Sequence, residues 1–167
     1  MVYRVIFLLL LGFLLTTVHA QDNSLQVTVN PMSDNAMDYE VNFAWQATGG
    51  VQDGLAIQVP SAVKVVPQSV RVNDQEMWLK KSLERPAQDS VVCWEEGEDG
   101  LLFFFAESVI QSGTRLTIRC HGGVSGSVAD TALAQVREAS LQGETAQVTD
   151  AVLTQTNFPA ITTQTEN

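Results

Sequence analysis

Residues 39–47, YEVNFAWQA, decide the fold class because their aromatic and aliphatic side chains recur at every second position. This period of two places one apolar row on a single face of a β-strand. The pattern recurs at 55–59 and at 115–120, where Leu116, Ile118 and Cys120 alternate with polar residues. Further short strands are predicted at 25–29, 63–66, 69–72, 77–79, 91–94 and 101–105. The chain is therefore predicted to be all-β.

Turn residues separate these strands, among them Gly49-Gly50, Asp53-Gly54 and Asn73-Asp74. About eight or nine short strands joined in this way are typical of a β-sandwich or barrel. Since no long linker interrupts the pattern, we predict a single domain over about residues 22–156. Residues 157–167, NFPAITTQTEN, hold few apolar side chains and are predicted to form a disordered tail.

The stretch 129–142, ADTALAQVREASLQ, admits two interpretations. Leu133 and Val136 have a helical spacing, and Ala is a good helix former. In the alternative, the stretch forms a strand that turns at Gly143-Glu144 into a second strand at 145–154. We favour this hairpin because it would complete a sandwich.

The first twenty residues, MVYRVIFLLLLGFLLTTVHA, are typical of a secretory signal peptide. Arg4 supplies the positive start, residues 5–18 form the apolar run, and Val18-His19-Ala20 matches a small-x-small cleavage site. The alternative is an uncleaved anchor, which needs about twenty apolar residues to cross the hydrocarbon core. We expect export to the periplasm, the cell surface or the medium, with a mature chain that does not span the membrane.

The charge balance of the chain argues against nucleic acid as a partner. The sequence carries 19 Asp and Glu against 9 Lys and Arg, a formal net charge of −10 at pH 7, with no block of basic residues. Removal of residues 1–20 leaves His121 as the only histidine. A Ser-His-Asp or Cys-His catalytic system would have to use this one residue. We predict a protein without enzymatic activity and without a cofactor.

Cys93 and Cys120 are the only two cysteines. Because exported proteins fold in an oxidising compartment, a disulfide between them is the expected state. In the chain-entropy model, a disulfide that closes the loop from Cys93 to Cys120 stabilises the fold by roughly 3–4 kcal/mol. The alternative is a reactive thiol or a metal-binding pair, although neither cysteine belongs to a C-x-x-C motif.

Several short motifs resemble those of the bacterial extracellular conserved repeat domain. Residues 59–63, VPSAV, resemble its Leu-Pro element, and residues 67–70, PQSV, resemble the opening of its next strand. Residues 109–114, VIQSGT, resemble a later turn, and the stretch 130–148 resembles the closing hairpin.

This sequence departs from the family pattern at two positions. Gln58 stands where the family has an acidic residue, and Ala62 stands where it has a glycine. The family is an immunoglobulin-like β-sandwich found in surface adhesins and cell-wall proteins. The resemblance therefore implies this fold and a binding or structural role in the bacterial envelope or at the surface, adhesion included.

The three tryptophans are candidates for ligand contact. Trp45 lies in the apolar row of 39–47 and is predicted to pack in the core. Trp78 lies in the segment QEMWLKK, which mixes polar and apolar residues, and it is the tryptophan that we most expect to be exposed. Trp94, beside an acidic run, is the next candidate. Exposed rings on a sandwich stack on sugars or on a protein partner. The expected partner is an envelope or extracellular protein or a glycan, and a small carbohydrate-binding module is the alternative function.

The acidic run after Trp94 is a weak candidate for a calcium site. Glu95, Glu96, Glu98 and Asp99 supply carboxylate oxygens, which are the ligands that Ca²⁺ prefers. The spacing of an EF-hand loop is absent, and the alternative is a solvated hairpin loop between two strands.

Overall fold

A computed structural model describes residues 25–32, 37–49, 53–98 and 100–162. These residues form ten β-strands and no helix, so the all-β prediction is confirmed and the predicted count of eight or nine strands was too low. The strands are β1 Gln26–Pro31, β2 Asp38–Gln46, β3 Gly54–Gln58, β4 Val63–Val72, β5 Gln75–Lys81, β6 Val91–Glu96, β7 Gly100–Phe105, β8 Arg115–Val124, β9 Leu133–Gln142 and β10 Thr145–Asn157.

The ten strands form one curled sheet, a half-barrel, in the order β1-β2-β8-β4-β5-β6-β7-β3-β9-β10. Strand β5 joins its two halves, because its first residues pair with β4 in antiparallel fashion and its last pair with β6 in parallel. Met77 is the last residue paired with β4 and Trp78 is the first paired with β6. Strand β5 therefore passes from one half of the sheet to the other between Met77 and Trp78.

The main hydrophobic core lies between the two halves of the sheet, since both contribute to one buried cluster. Its largest fully buried members are Phe43, Phe103, Phe105, Phe158, Leu55, Leu101, Ile110 and Ile118. Alternation along each strand produces this arrangement. In β2, for example, Val41 and Phe43 are buried, while Glu40 and Asn42 are half-buried on the opposite face. We call the face turned away from this core the outer face.

Strand β4 runs continuously where the alternation suggested two strands, 63–66 and 69–72. Pro67 interrupts the pattern, because it has no N–H to donate to a sheet. The pairing with β8 shifts register between Pro67 and Ser69, so the chain absorbs the proline in a bulge. Two predicted strands thereby become one.

The hairpin predicted for the C-terminal part of the chain is confirmed, and the helical alternative is wrong. Strands β9 and β10 pair antiparallel from Leu133↔Asn157 to Gln142↔Thr145. Gly143 has a φ of +65°, the left-handed backbone that a two-residue turn requires.

The predicted tail at 157–167 begins too early. Phe158 and Ile161 are 1% and 4% exposed and belong to the main core. Ile161 also exchanges two backbone hydrogen bonds with Val128, at 2.9 and 3.0 Å. The packed part of the chain therefore reaches beyond the predicted end at residue 156, and residues 163–167 lie outside the described residues.

The predicted signal peptide, residues 1–20, also lies outside the described residues. The described part of the chain holds no helix that is long and apolar enough to cross a membrane.

Candidate binding face

Trp78 is the most exposed of the large apolar side chains in the described residues, with 77% of its surface open to solvent. Its neighbour Met77 is 7% exposed and packs in the main core. Because successive side chains of a strand point to opposite faces, a buried Met77 directs Trp78 outwards. The backbone N–H of Trp78 donates a 2.8 Å hydrogen bond to the carbonyl oxygen of Ser90, which holds this position against the start of β6.

The other two tryptophans are occupied by the protein itself. Trp45 is 6% exposed in the core, as its place in the alternating row predicted. Trp94 is half-buried, and the Lys81 ammonium lies 5.4 Å from its ring centroid. Trp78 is therefore the tryptophan with a ring open to a ligand, as expected from its mixed segment, and ligand contact by Trp78 or Trp94 stays a prediction.

Two arginines share the outer face with Trp78. Arg71 in β4 lies opposite Glu76 in β5 and opposite Thr117 in β8. Arg119 lies opposite Ser69, two residues before Arg71. We call the set Ser69, Arg71, Glu76, Trp78, Thr117 and Arg119 the Arg–Trp face.

The ion pairs of this face are loose and solvent-exposed. Arg71 Nη2 lies 4.0 Å from Glu76 Oε2, and Arg119 Nη1 lies 3.9 Å from Glu40 Oε2. The two arginine side chains are 55% and 53% exposed. Exposed pairs of this kind contribute about 0–1 kcal/mol, so both guanidinium groups are available to other anions.

Positive charge is concentrated on this side of the molecule. Lys64 and Arg71 of β4 and Arg115 and Arg119 of β8 all alternate with buried residues and are exposed on the outer face. They are four of the 9 Lys and Arg in a chain whose net charge is −10. The exposed charges of β4 and β8 are therefore positive, and the neighbouring Glu76, Asp74 and Glu40 offset three of the four.

The acidic run does not gather into a metal site within the described residues. Glu95 lies 3.7 Å from the Lys81 ammonium, and Glu96 is exposed. Successive strand residues point to opposite faces, which separates these two carboxylates. No group of three or more His, Cys, Asp or Glu with metal-binding geometry occurs in the part of the chain that is described, and Asp99 lies outside it.

The predicted Cys93–Cys120 disulfide is wrong, because both thiols are free. Cys120 belongs to the main core, whereas Cys93 faces the other side of the sheet in a small cluster with Ala56, Phe104 and Ala139. The sheet itself thus lies between the two sulfur atoms. Burial raises the pKa of Cys120 to about 12. Burial also raises the pKa of Cys93, an effect that the positive charge of Lys80 partly offsets.

His121 is exposed on the outer face of β8, opposite Glu40 in the pairing of β2 with β8. The Ser125 hydroxyl, from the GGVSG string at 122–126, donates to the carbonyl oxygen of Ala62 at 3.4 Å. These residues therefore show no arrangement of an activated nucleophile, and we assign none of them a catalytic role.

The arginines of the Arg–Trp face were not among the residues singled out from the sequence. The alternation of Leu116, Ile118 and Cys120 with polar residues already indicated that Arg119 points outwards. What it could not supply was the lateral order β8-β4-β5, which brings Arg119, Arg71 and Trp78 to one surface.

No family model matches the chain, and no curated protein sequence matches it. The resemblance to the bacterial extracellular conserved repeat domain accordingly stays a hypothesis.

Proposed function

We propose that this protein is a non-enzymatic, exported domain of the bacterial envelope or surface that binds a partner through the Arg–Trp face. The observation that carries the proposal is the 77% exposure of Trp78 in the middle of an ordered sheet. Burying a side chain of this size contributes about 1.5–3 kcal/mol, and here the fold forgoes that contribution. An exposed ring of this kind is typical of binding surfaces, where tryptophan is enriched among the residues that dominate affinity.

Export and architecture support this role. The sequence of residues 1–20 has the three parts of a signal peptide. The main core is shared by the two halves of the curled sheet, an arrangement compatible with the two layers of an immunoglobulin-like sandwich. In an adhesin or cell-wall protein, such a domain presents a sheet face to its partner while its core maintains the shape.

A carbohydrate-binding module is the second candidate, and the polar surroundings of Trp78 favour it. Ser69 and Thr117 lie on the same outer face, and Asn42 lies opposite Arg119 on the far side of β8. Hydroxyl and amide groups beside an aromatic ring can bond the hydroxyls of a sugar that stacks on the ring.

Affinity capture from the bacterial envelope tests the proposed function. The processed protein, purified after expression of the full chain, is immobilised and incubated with solubilised envelope and with culture medium of its own cells. Trp78→Ala should reduce capture of the specific partner by at least about tenfold, the loss expected for a dominant interface residue. Val152→Ala is the matched control, because Val152 is also an exposed apolar residue, at 39%, but lies on β10.

The two candidates give different results in this experiment. A captured protein that is lost with Trp78→Ala supports a protein-binding domain, and a captured glycan supports the carbohydrate module. Equal capture by the wild type, Trp78→Ala and Val152→Ala would contradict both, since neither could then use the Arg–Trp face.

A further inference from the structure

We infer that the ligand of the Arg–Trp face is an anionic polysaccharide, a chain of sugar rings that carries carboxylate or sulfate groups. In this arrangement Trp78 stacks on a sugar ring, and Arg71 and Arg119 bind the acidic groups. The inference rests on the proposed function, because it uses the same exposed face, and it adds the chemical class of the ligand.

The first support is the spacing of the cations. Arg71 lies directly opposite Thr117, so Arg115 and Arg119 are its diagonal neighbours on β8. Diagonal neighbours on one face of a sheet are about 7–8 Å apart. Arg71 and Arg119 are therefore two exposed guanidinium groups at this spacing, which suits a polymer with repeated charges better than a single small anion. Arg115 flanks them, but its guanidinium is already hydrogen-bonded to Asp74 at 2.8 Å.

The second support is the weakness of the internal ion pairs. Glu76 and Glu40 are the acidic partners of Arg71 and Arg119, at 4.0 and 3.9 Å. Neither contact is a hydrogen-bonded pair, because such bonds between charged groups are about 2.7–2.9 Å long. A ligand carboxylate or sulfate can make the short, bidentate contact that the protein's own carboxylates do not make.

The third support is the contrast with the rest of the molecule. A chain with a net charge of −10 repels a polyanion over most of its surface. The cations Lys64, Arg71, Arg115 and Arg119 are gathered on one face, where Glu76, Asp74 and Glu40 lie beside three of them. This side is therefore less acidic than the chain as a whole and repels a polyanion less. The charge distribution thus orients this class of ligand.

The surroundings of Trp78 favour a glycan over an acidic protein. Protein–protein interfaces are enriched in Trp and Arg, but the residues around them at the centre of the interface are typically apolar. Around Trp78, however, most outer-face residues are polar or charged: Ser69, Arg71, Glu76 and Lys80, with the half-buried Val91 of β6 as the apolar neighbour. An aromatic ring among mostly hydroxyl and charged groups matches the mixed apolar and polar surface of a sugar.

Binding of defined polysaccharides by calorimetry tests the inference. The probes are polygalacturonate for carboxylates, dextran sulfate for sulfates, and neutral dextran for the uncharged backbone. We expect binding to at least one anionic probe that weakens with added salt, because ion pairing at an exposed site is screened. The preferred anionic probe distinguishes the two acidic groups.

Two double variants separate the arginines of the face from net charge. Arg71→Gln/Arg119→Gln should weaken binding of the anionic probe by at least about tenfold, since hydrogen bonds to charged groups are the strong ones. Lys81→Gln/Arg85→Gln removes the same two charges outside the face and should stay within about twofold of the wild type. Thermal unfolding of each variant verifies that it is folded.

The outcomes distinguish failure of the inference from failure of the proposed function. Equal binding by the wild type and Arg71→Gln/Arg119→Gln overturns the inference, and so does binding of neutral dextran alone. If no polysaccharide probe binds but envelope capture still depends on Trp78, the inference falls and the proposed function stands, and the captured molecule identifies the ligand as a protein or another glycan. If Trp78→Ala changes neither polysaccharide binding nor capture, the proposed function falls as well.

Discussion

Asn73 and Arg115, 42 positions apart in sequence, are joined by two hydrogen bonds. The Asn73 N–H donates to the Arg115 carbonyl oxygen at 2.8 Å, and the Arg115 N–H donates to Asn73 Oδ1 at 2.9 Å. Asn73 and Asp74 form the two-residue turn between β4 and β5, with φ values of 49° and 69°. Asparagine and aspartate tolerate this left-handed backbone better than other residues with a Cβ atom. The turn that leads to Trp78 is thus tied to the start of β8.

Asn73→Ala should lower the free energy of unfolding by about 1–3 kcal/mol, measured by urea denaturation. The substitution removes the acceptor for the Arg115 N–H and places alanine in a left-handed conformation, and each effect costs about 1 kcal/mol. Asp74→Gly is the control. It relieves the positive φ and loses an exposed pair with Arg115, so its effect should stay within about 0.5 kcal/mol. Equal losses for the two variants would show that the Asn73 side chain does not hold the turn.

Phe158→Ala should destabilise the protein by about 3–5 kcal/mol, because a fully buried aromatic side chain leaves a cavity. Val152→Ala on the preceding strand should cost no more than about 0.5 kcal/mol, since Val152 is 39% exposed. The measurement is the free energy of unfolding in urea.

Truncation examines the same region in a second way. Ending the chain at Thr162 keeps Phe158 and Ile161, whereas ending it at Thr156 removes both. We expect the melting temperature to fall sharply only for the shorter chain. If both truncations leave it unchanged, residues 157–161 contribute nothing to the core.

Gly54→Ala should cost about 1–3 kcal/mol by overpacking. A Cβ atom at this position would lie 2.5 Å from the Phe103 carbonyl oxygen and 2.6 Å from Phe104 Cδ1. Both residues belong to β7, which pairs with β3 and cannot move away without breaking the sheet. Gly49→Ala is the matched control, because a Cβ atom there would meet nothing within 4 Å. Thermal unfolding should therefore distinguish the two substitutions.

In the absence of a reductant, the thiols of Cys93 and Cys120 should react with a thiol reagent slowly in the native protein and rapidly in the unfolded protein. Both are buried, and burial raises both pKa values, so little reactive thiolate is present. Mass spectrometry of the labelled unfolded chain should find two modified cysteines. An unlabelled chain that gains two reactive thiols only after reduction would establish a disulfide instead.

Stability should fall at high pH because of Cys120. Its folded-state pKa of about 12 lies above the ordinary value of 9.0, so the native state keeps a proton that the unfolded state releases between these values. The free energy of unfolding should decrease as the pH rises above about 9, by up to about 1.4 kcal/mol per pH unit for one group. The slope should be smaller in Cys120→Ala, with both proteins measured by urea denaturation at each pH. Identical slopes would remove Cys120 as the cause.

Local alternation accounts for most of what could be predicted. It located nearly every strand, placed Trp45 and Cys120 on apolar faces, and marked Trp78 as the exposed tryptophan. It failed at Pro67, where a bulge maintains one strand across an interrupted pattern. It also failed at Phe158 and Ile161. Two apolar residues in a polar segment form no periodic pattern, so the sequence does not show that they pack in the core.

The sequence by itself determined that this protein is all-β, since a period of two side chains is a local property of each strand. Only the tertiary structure decided which strands are neighbours. That order places Cys93 and Cys120 on opposite sides of a sheet and prevents the bridge that their presence suggested. The same order brings Arg71, Arg119 and Trp78 from three strands to one surface. The physical reason is that pairing depends on register between distant segments and on a shared core, neither of which is encoded within a single strand.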